Sequence, residues 1–244
     1  MTNWNEYGSK RSPSRNRLLF KEHRLTTEKF IDYFKDLDVN LSVLDVGCGD
    51  GFWMEVLRNL GFRDLLGLDL SYPLLIRAKG KGLRVVQSSA SCMSFRRKFD
   101  VVIMCDVLEH LPDVSEALSK VRDVLKSNGI MYLMVPVYNS LSSKFQRLFH
   151  RKSRIQQAQE HDETHLHAFS KRDLVSLLDS HHFHVERAAY TANRLPFITG
   201  KIQRPTFGNR FGNWLNIVAR AIDYNPVSSI EHQASSIQYR ASRT

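Results

Sequence analysis

Two sets of residues in this chain have the types and spacings that chemistry requires. The first is Val43-Leu44-Asp45-Val46-Gly47-Cys48-Gly49-Asp50-Gly51, with Asp69 at the end of the next apolar run. A buried strand entering a glycine-rich turn lets the backbone approach a ligand closely. A carboxylate closing the following strand can accept both hydroxyls of a ribose. The second is His161-Asp162-Glu163-Thr164-His165-Leu166-His167. A histidine held beside a reactive hydroxyl can take its proton near neutral pH. The first set describes a nucleoside site; the second is a cluster of histidines further along the chain.

The glycines narrow the choice of nucleoside. A dinucleotide turn reads G-x-G-x-x-G, its third glycine opening the helix beneath a pyrophosphate; here that position is Phe52 and the run is G-x-G-x-G. Asp45 at the entrance would repel a pyrophosphate but can pair with a cation. No G-K-[ST] follows the turn, so a triphosphate loop is excluded as well. A nucleoside without phosphate that carries a cationic amino-acid tail remains, and S-adenosylmethionine fits that description.

Val43–Gly51, Gly67-Leu68-Asp69-Leu70-Ser71, and Phe99-Asp100-Val101-Val102-Ile103 through Asp106-Val107-Leu108-Glu109-His110-Leu111 resemble successive motifs of class I S-adenosylmethionine-dependent methyltransferases. The resemblance is to the branch holding small-molecule and quinone-type O-methyltransferases, and it covers roughly residues 40 to 190. It implies a Rossmann-like, doubly wound, mostly parallel seven-stranded α/β sheet. It further implies that Gly47, Cys48, Gly49 and Gly51 shape the turn under the methionine portion and that Asp45 lies at its amino-acid end. Asp69 would hold the ribose and Leu70 the adenine. Ser89 would stand where related enzymes often place an aspartate for the adenine amino group, with Ala90 beside it. Cys105, Asp106 and Val107 would line the other side of the cofactor. His165 matches the family's histidine beneath the acceptor pocket, as a general base, a substrate orienter or a loop-fixing hydrogen bonder. His110 is the second candidate, either in proton transfer or in the cofactor shell.

The histidines also set a trap. His161 and His165 are spaced H-x-x-x-H, but a zinc protease needs Glu directly after the first histidine on a helix. Asp162 stands there and no apolar helical stripe surrounds it, so no resident metal is expected. Cys48, Cys92 and Cys105 are odd in number and fall in the expected core, which reads as reduced thiols in a cytoplasmic protein.

The elements that must position these residues follow from periodicity. A basic, loosely ordered arm over 1–20 precedes a helix over about 21–36. Strands are expected at Ser42–Val46, Asp64–Asp69, Leu83–Val86, Asp100–Cys105 and Ile130–Val137. Phe52, Val56 and Leu60 make one helical face stopped by Gly61. Ser71 would cap the next helix, with Pro73 in its first turn. Val114, Ala117, Leu118, Val121, Val124 and Leu125 make another stripe, ended by Gly129. Ser170 and Asp173 form a capping box. The methyltransferase domain spans 21–195 and carries a basic amphipathic insertion at 138–159. A C-terminal extension, 196–244, has no assigned role. Two final strands should complete the sheet, one at Val185–Tyr190 and the other at Ser236–Arg240.

Charge is uneven within the net +10. Residues 25–140 hold 14 Lys/Arg against 15 Asp/Glu, whereas 141–154 hold five against none and 194–244 hold seven against two. No stretch approaches the ~18 apolar residues of a membrane span. Basic extensions around a neutral core suggest peripheral contact with an anionic membrane, a phosphorylated substrate or RNA. The reading is methyl transfer to a small-molecule or lipid-linked acceptor, with O-methylation favoured. The alternatives are an RNA or protein methyltransferase and a non-catalytic cofactor-binding scaffold. Cys105-Asp106-Val107-Leu108 lacks the [DN]-P-P-[YF] of many N-methyltransferases, which counts against the macromolecular alternative.

Overall fold

The computed structural model describes residues 24–137, 155, 162–191 and 214–223. After α1 (Arg24–Phe34) the chain alternates β1 (Val43–Val46), α2 (Phe52–Asn59), β2 (Leu65–Asp69), α3 (Tyr72–Gly80), β3 (Val85–Gln87) and β4 (Phe99–Cys105). A single 3-10 turn, Leu108–His110, leads to α4 (Val114–Val124) and β5 (Leu125–Pro136). Then come α5 (Lys171–Ser180), β6 (Phe183–Thr191) and β7 (Trp214–Ala221). The strands form one seven-stranded sheet in the order β3-β2-β1-β4-β5-β7-β6. Strands β1 to β5 pair in parallel, and β7 runs antiparallel to both of its neighbours. This is the doubly wound α/β sheet expected from the sequence. Its order reverses between β1 and β4, the place where open sheets of this kind bind ligands.

Alternating strand residues point to opposite faces. Leu44, Val46, Val102, Met104, Leu133 and Val135 bury on one face with α4 and α5. Val43, Val101, Ile103, Tyr132 and Met134 bury on the other with α1, α2 and α3. Covering both faces explains why the strands read as near-continuous apolar runs. On the second face Phe30 and Phe34 of α1 meet the Tyr132 ring with centroids 5.1 and 5.4 Å away.

A buried polar chain fastens this layer. Tyr132 Oη donates to Asn216 Oδ1 at 2.9 Å, Asn216 Nδ2 donates to Thr191 Oγ1 at 3.1 Å, and Thr191 Oγ1 lies 3.1 Å from Thr26 Oγ1. The chain runs from β5 through β7 and β6 to α1. Tyr132→Phe leaves Asn216 Oδ1 unpaired, so unfolding stability should fall by about 1–2 kcal/mol. Urea denaturation reads this as a lower midpoint at constant slope; an unchanged midpoint would show that the bond contributes nothing.

Several elements differ from the sequence expectation. The seventh strand is Trp214–Ala221, inserted between β5 and β6, and not Ser236–Arg240, which lies outside the described residues. Residues 214–221 are therefore part of the sheet and not of an extension. Helix α4 stops at Val124, and Leu125 opens β5 opposite Phe99, with a register shift before Ile130 meets Val101. Ser71 occupies the N-cap position of α3, but its side chain makes no capping bond; Asp69 Oδ1 instead accepts the Ser71 N–H at 2.7 Å. The Ser170–Asp173 capping box is formed in both directions. Cys92 is exposed, while Cys48 and Cys105 are buried. The arm 1–20, the insertion 138–159 apart from residue 155, and His161 lie outside the described residues.

Candidate active site

The glycine turn leaves the C-terminal end of β1 and is held from β2: Gly47 N–H and Cys48 N–H both donate to the Leu68 carbonyl, at 2.8 and 2.9 Å. Its three glycines do different things. Gly47 has φ +74°, and a Cβ there would sit 2.3 Å from Val107 Cγ2, so this glycine lets the segment after β4 close over the turn. At Gly51 a Cβ would meet Leu83 Cδ1 at 2.1 Å, a packing requirement beneath α2. Gly49, with φ +56°, has only Leu74 Cδ1 nearby, at 3.9 Å, and so faces open space where a ligand can approach.

Asp69 closes β2 and orders this turn. Its Oδ2 accepts the Gly49 N–H at 2.8 Å while Oδ1 accepts the Ser71 N–H. Each carboxylate oxygen has two lone pairs, so further hydrogen bonds from a ribose remain available. Leu70 follows, 39% exposed despite its apolar side chain.

Asp45 is the most unusual group. It is 1% exposed on β1, and neither carboxylate oxygen has a hydrogen-bond partner among the described residues. Burial, and after it the charge of Asp69, holds this carboxyl well above its usual range. A buried carboxylate without a partner is costly until a cation or donor satisfies it. A ligand with an ammonium group, approaching beside the turn open at Gly49, would give this carboxyl the partner it lacks among the described residues.

The other expected cofactor residues take varied places. Cys48 packs its side chain into the core, where burial raises its thiol far above the normal range. Cys105 is likewise buried. Ser89 Oγ accepts the Ser91 N–H at 3.2 Å, closing a local turn, and Ala90 is buried in the core. Asp106 is exposed with φ 54°, and its Oδ1 accepts the Trp214 Nε1–H at 2.9 Å, tying β7 to the turn after β4.

The histidine set converges on the turn after β4. The Glu109 carbonyl accepts the N–H groups of Leu166 at 2.8 Å and His167 at 3.1 Å, which draws residues 162–170 across the site. His167 Nε2 donates to the Leu111 carbonyl at 2.8 Å and anchors the same stretch. His165, buried, thereby packs against His110 with ring centroids 4.7 Å apart and the planes tilted by 52°. Between them lies Glu109, 1% exposed, with both side-chain oxygens unpartnered in hydrogen bonding among the described residues. Burial first, then the charge of Asp106, pushes its carboxyl well up. Sequence reasoning paired His110 with His165 only as separate candidates and overlooked Glu109. Its signal was a carboxylate between Leu108 and Leu111 in an apolar turn.

An open parallel sheet with a glycine turn after β1, a carboxylate closing β2 and an acceptor-side polar cluster after β4 defines a nucleoside-dependent transferase domain. The chain belongs to the family described as methyltransferase domain, whose model matches residues 16–188, and its cofactor is S-adenosylmethionine. Among curated relatives, the ubiquinone biosynthesis O-methyltransferase of Pelagibacter ubique (strain HTCC1062) is 31% identical over 100 residues, covering 38% of this chain and 41% of the relative. The enzyme of the same name from Actinobacillus pleuropneumoniae serotype 7 is 29% identical over 130 residues, covering 46% and 54%. The chain thus spans about half the length of these relatives, or less. Magnesium protoporphyrin IX methyltransferase from Synechocystis PCC 6803, solved with bound S-adenosylmethionine, superposes with a TM-score of 0.57 at 18% identity, covering 82% of this chain and 79% of that one. An S-adenosylmethionine-dependent methyltransferase from Thermotoga maritima gives a TM-score of 0.66 at 16% identity, covering 89% and 99%. Among the described residues no helix is long and apolar enough to cross a membrane.

Proposed function

We propose that the protein methylates an oxygen of a small-molecule or lipid-linked acceptor. The observation that carries this reading is the Glu109–His110–His165 cluster, a polar group set into an otherwise apolar turn one step beyond the residues that flank the cofactor. A hydroxyl acceptor needs such a group to orient it and receive its proton; an amine acceptor does not. The names of the curated relatives point to the same chemistry.

When bound, S-adenosylmethionine supplies a methyl group on a sulfonium leaving group. The residues of the chain do the rest. Asp45 pairs with the ammonium, Asp69 holds the ribose, Leu70 covers the adenine, and Val107 closes over the turn. Glu109, His110 and His165 hold the acceptor oxygen, and alignment with exclusion of water supplies the acceleration. The basic insertion, with Lys144, Arg147, Arg151, Lys152 and Arg154, would bring the domain to an anionic surface carrying a lipid-linked acceptor.

The test is transfer of labelled methyl from S-adenosylmethionine to a panel of phenols, catechols and quinols, alongside RNA and protein. Alkali-stable label in the solvent-extractable fraction is expected. Label found only in RNA or protein would overturn the reading.

Asp45 gives a second expected result. Burial raises this carboxyl, so an ammonium bound beside it would draw it towards its ionised form, and binding is expected to release a proton and to tighten as pH rises. Calorimetry in buffers of different ionisation enthalpy will show the release in wild type and not in Asp45→Asn. In the ligand-free protein the sign is opposite to that of an ordinary paired carboxylate. The folded state binds the extra proton, so this group's contribution to stability falls as pH rises above about 3.9 through the raised value.

A further inference from the structure

The end of the sheet opposite the glycine turn carries a second cleft. Residues 61–63 lead into β2 and residues 82–84 into β3, and between these two entries and the last turn of α2 lies a cavity of about 300 Å³. The length of β2 separates it from the cofactor side. Four residue steps of ~3.3 Å put about 13 Å between Leu65, at the cleft, and Asp69. The guanidinium groups of Arg58, Arg63 and Arg84 line the cleft beside the apolar side chains of Phe62, Leu65 and Leu83. Val39, 38% exposed, extends the apolar surface at the rim, where a Cβ on Gly61 would lie 3.3 Å from Val39 Cγ1.

The carboxylates nearby are committed to better partners. Asp64 takes both terminal nitrogens of Arg97, which leaves Arg84 3.4 Å away with its side chain 65% exposed. Glu55 takes Lys81 Nζ at 2.8 Å, which leaves Arg58 at 3.7 Å, and Lys81 also meets Asp50 at 3.3 Å. Arg58 Nη1 is steadied by donating to the Lys81 carbonyl at 2.9 Å. Arg63 is exposed and makes no ion pair among the described residues. Three carboxylates thus face five cations, and the excess positive charge lines the cleft. A guanidinium fork matches phosphate oxygens in pairs. A phosphate monoester has three free oxygens to share among three arginines, whereas a carboxylate has two, and the apolar floor and rim suit the carbon group that the ester carries.

The cleft also touches the cofactor turn. Leu83, which lines the cleft, fills the space beside Gly51, where a Cβ would fall 2.1 Å from Leu83 Cδ1. Gly51 is the N-cap of α2 and the last glycine of the turn, so pressure on Leu83 acts on the turn directly.

We propose that this cleft binds a small organic phosphate monoester as an effector, separate from the cofactor and the methyl acceptor. Its occupancy seats Leu83 against Gly51 and tightens S-adenosylmethionine binding.

The experiment is calorimetric titration of the full-length protein with butyl phosphate, with inorganic phosphate and 1-butanol as the two halves of that probe. Wild type is expected to bind one equivalent of butyl phosphate, inorganic phosphate at least about fivefold more weakly, and 1-butanol not at all. Arg63→Ala and Arg84→Ala should each weaken butyl phosphate binding about 10-fold or more, and added salt should weaken it in wild type. Arg172→Ala, at an exposed cation of α5 on the other side of the sheet, should leave it unaltered. Both cleft arginines are exposed, so unchanged urea midpoints will certify that the variants are folded. Saturating butyl phosphate should tighten S-adenosylmethionine binding threefold or more, and saturating cofactor should tighten butyl phosphate binding by the same factor. The site is overturned by no saturable binding of butyl phosphate, or by binding that survives unchanged in both Arg63→Ala and Arg84→Ala. Binding that leaves cofactor affinity unchanged overturns the effector role. Retention on phosphatidylglycerol vesicles that Arg63→Ala abolishes, without binding of free butyl phosphate, would overturn the soluble effector in favour of a lipid headgroup.

Discussion

An Asp69→Ala variant will bind S-adenosylmethionine at least about 100-fold more weakly than wild type. Hydrogen bonds to a charged group contribute roughly 1.5–3 kcal/mol each, and two ribose hydroxyls directed at one carboxylate exceed the ~2.7 kcal/mol that a 100-fold change represents. The same side chain accepts the Gly49 and Ser71 N–H groups, so its removal also loosens the turn under the cofactor. Asp69→Asn separates the two roles. The amide oxygen can still accept one backbone N–H, and affinity should fall between that of alanine and wild type. Calorimetry reads both variants. A loss below about fivefold in Asp69→Ala would move ribose recognition elsewhere.

Gly47→Ala carries the second large effect, and here the expected damage is to stability as well as to binding. The residue sits at φ +74°, where a side chain costs roughly 1–2 kcal/mol. A methyl would also lie 2.3 Å from Val107 Cγ2, so Val107 or the turn must move. The sum should be about 2–4 kcal/mol by denaturant unfolding, within the range of a strained or overpacked core position. Adding Val107→Ala relieves the clash but not the backbone strain, so the double variant should recover part of the loss. Full additivity of the two changes would show that the contact is not the cause.

The features legible in the sequence were those written in local spacing. Gly47 to Gly51 and Asp69 stand at the ends of neighbouring parallel strands because a strand–turn–helix–strand unit fixes that relation within about 25 residues. The Ser170–Asp173 capping box was readable for the same reason: its two hydrogen bonds span three residues. Leu125 was read as helical because a leucine fits the end of the α4 stripe as well as it fits a strand, and only pairing with Phe99 decides. Trp214–Ala221 reads from the sequence as part of the C-terminal extension and not as the seventh strand, since its partners are β5 and β6 and nothing local announces an insertion between them. The convergence on Glu109 was hidden for a related reason. It depends on one carbonyl that accepts two N–H groups from more than 50 residues further along the chain.

The position of β7 has a consequence for how the protein is made. Every residue of the glycine turn, Asp69 and the β4 turn leaves the ribosome well before Trp214. Until β7 arrives, the long edge of β5 has no partner, and β6 has no neighbour to join. An exposed apolar edge is a template for pairing with other chains. The growing chain thus holds the glycine turn and Asp69 in place beside an open seam, and β7 closes that seam. Because Trp214 then hydrogen-bonds Asp106, the strand that ends this vulnerable interval also fixes the turn that leaves the C-terminal end of β4.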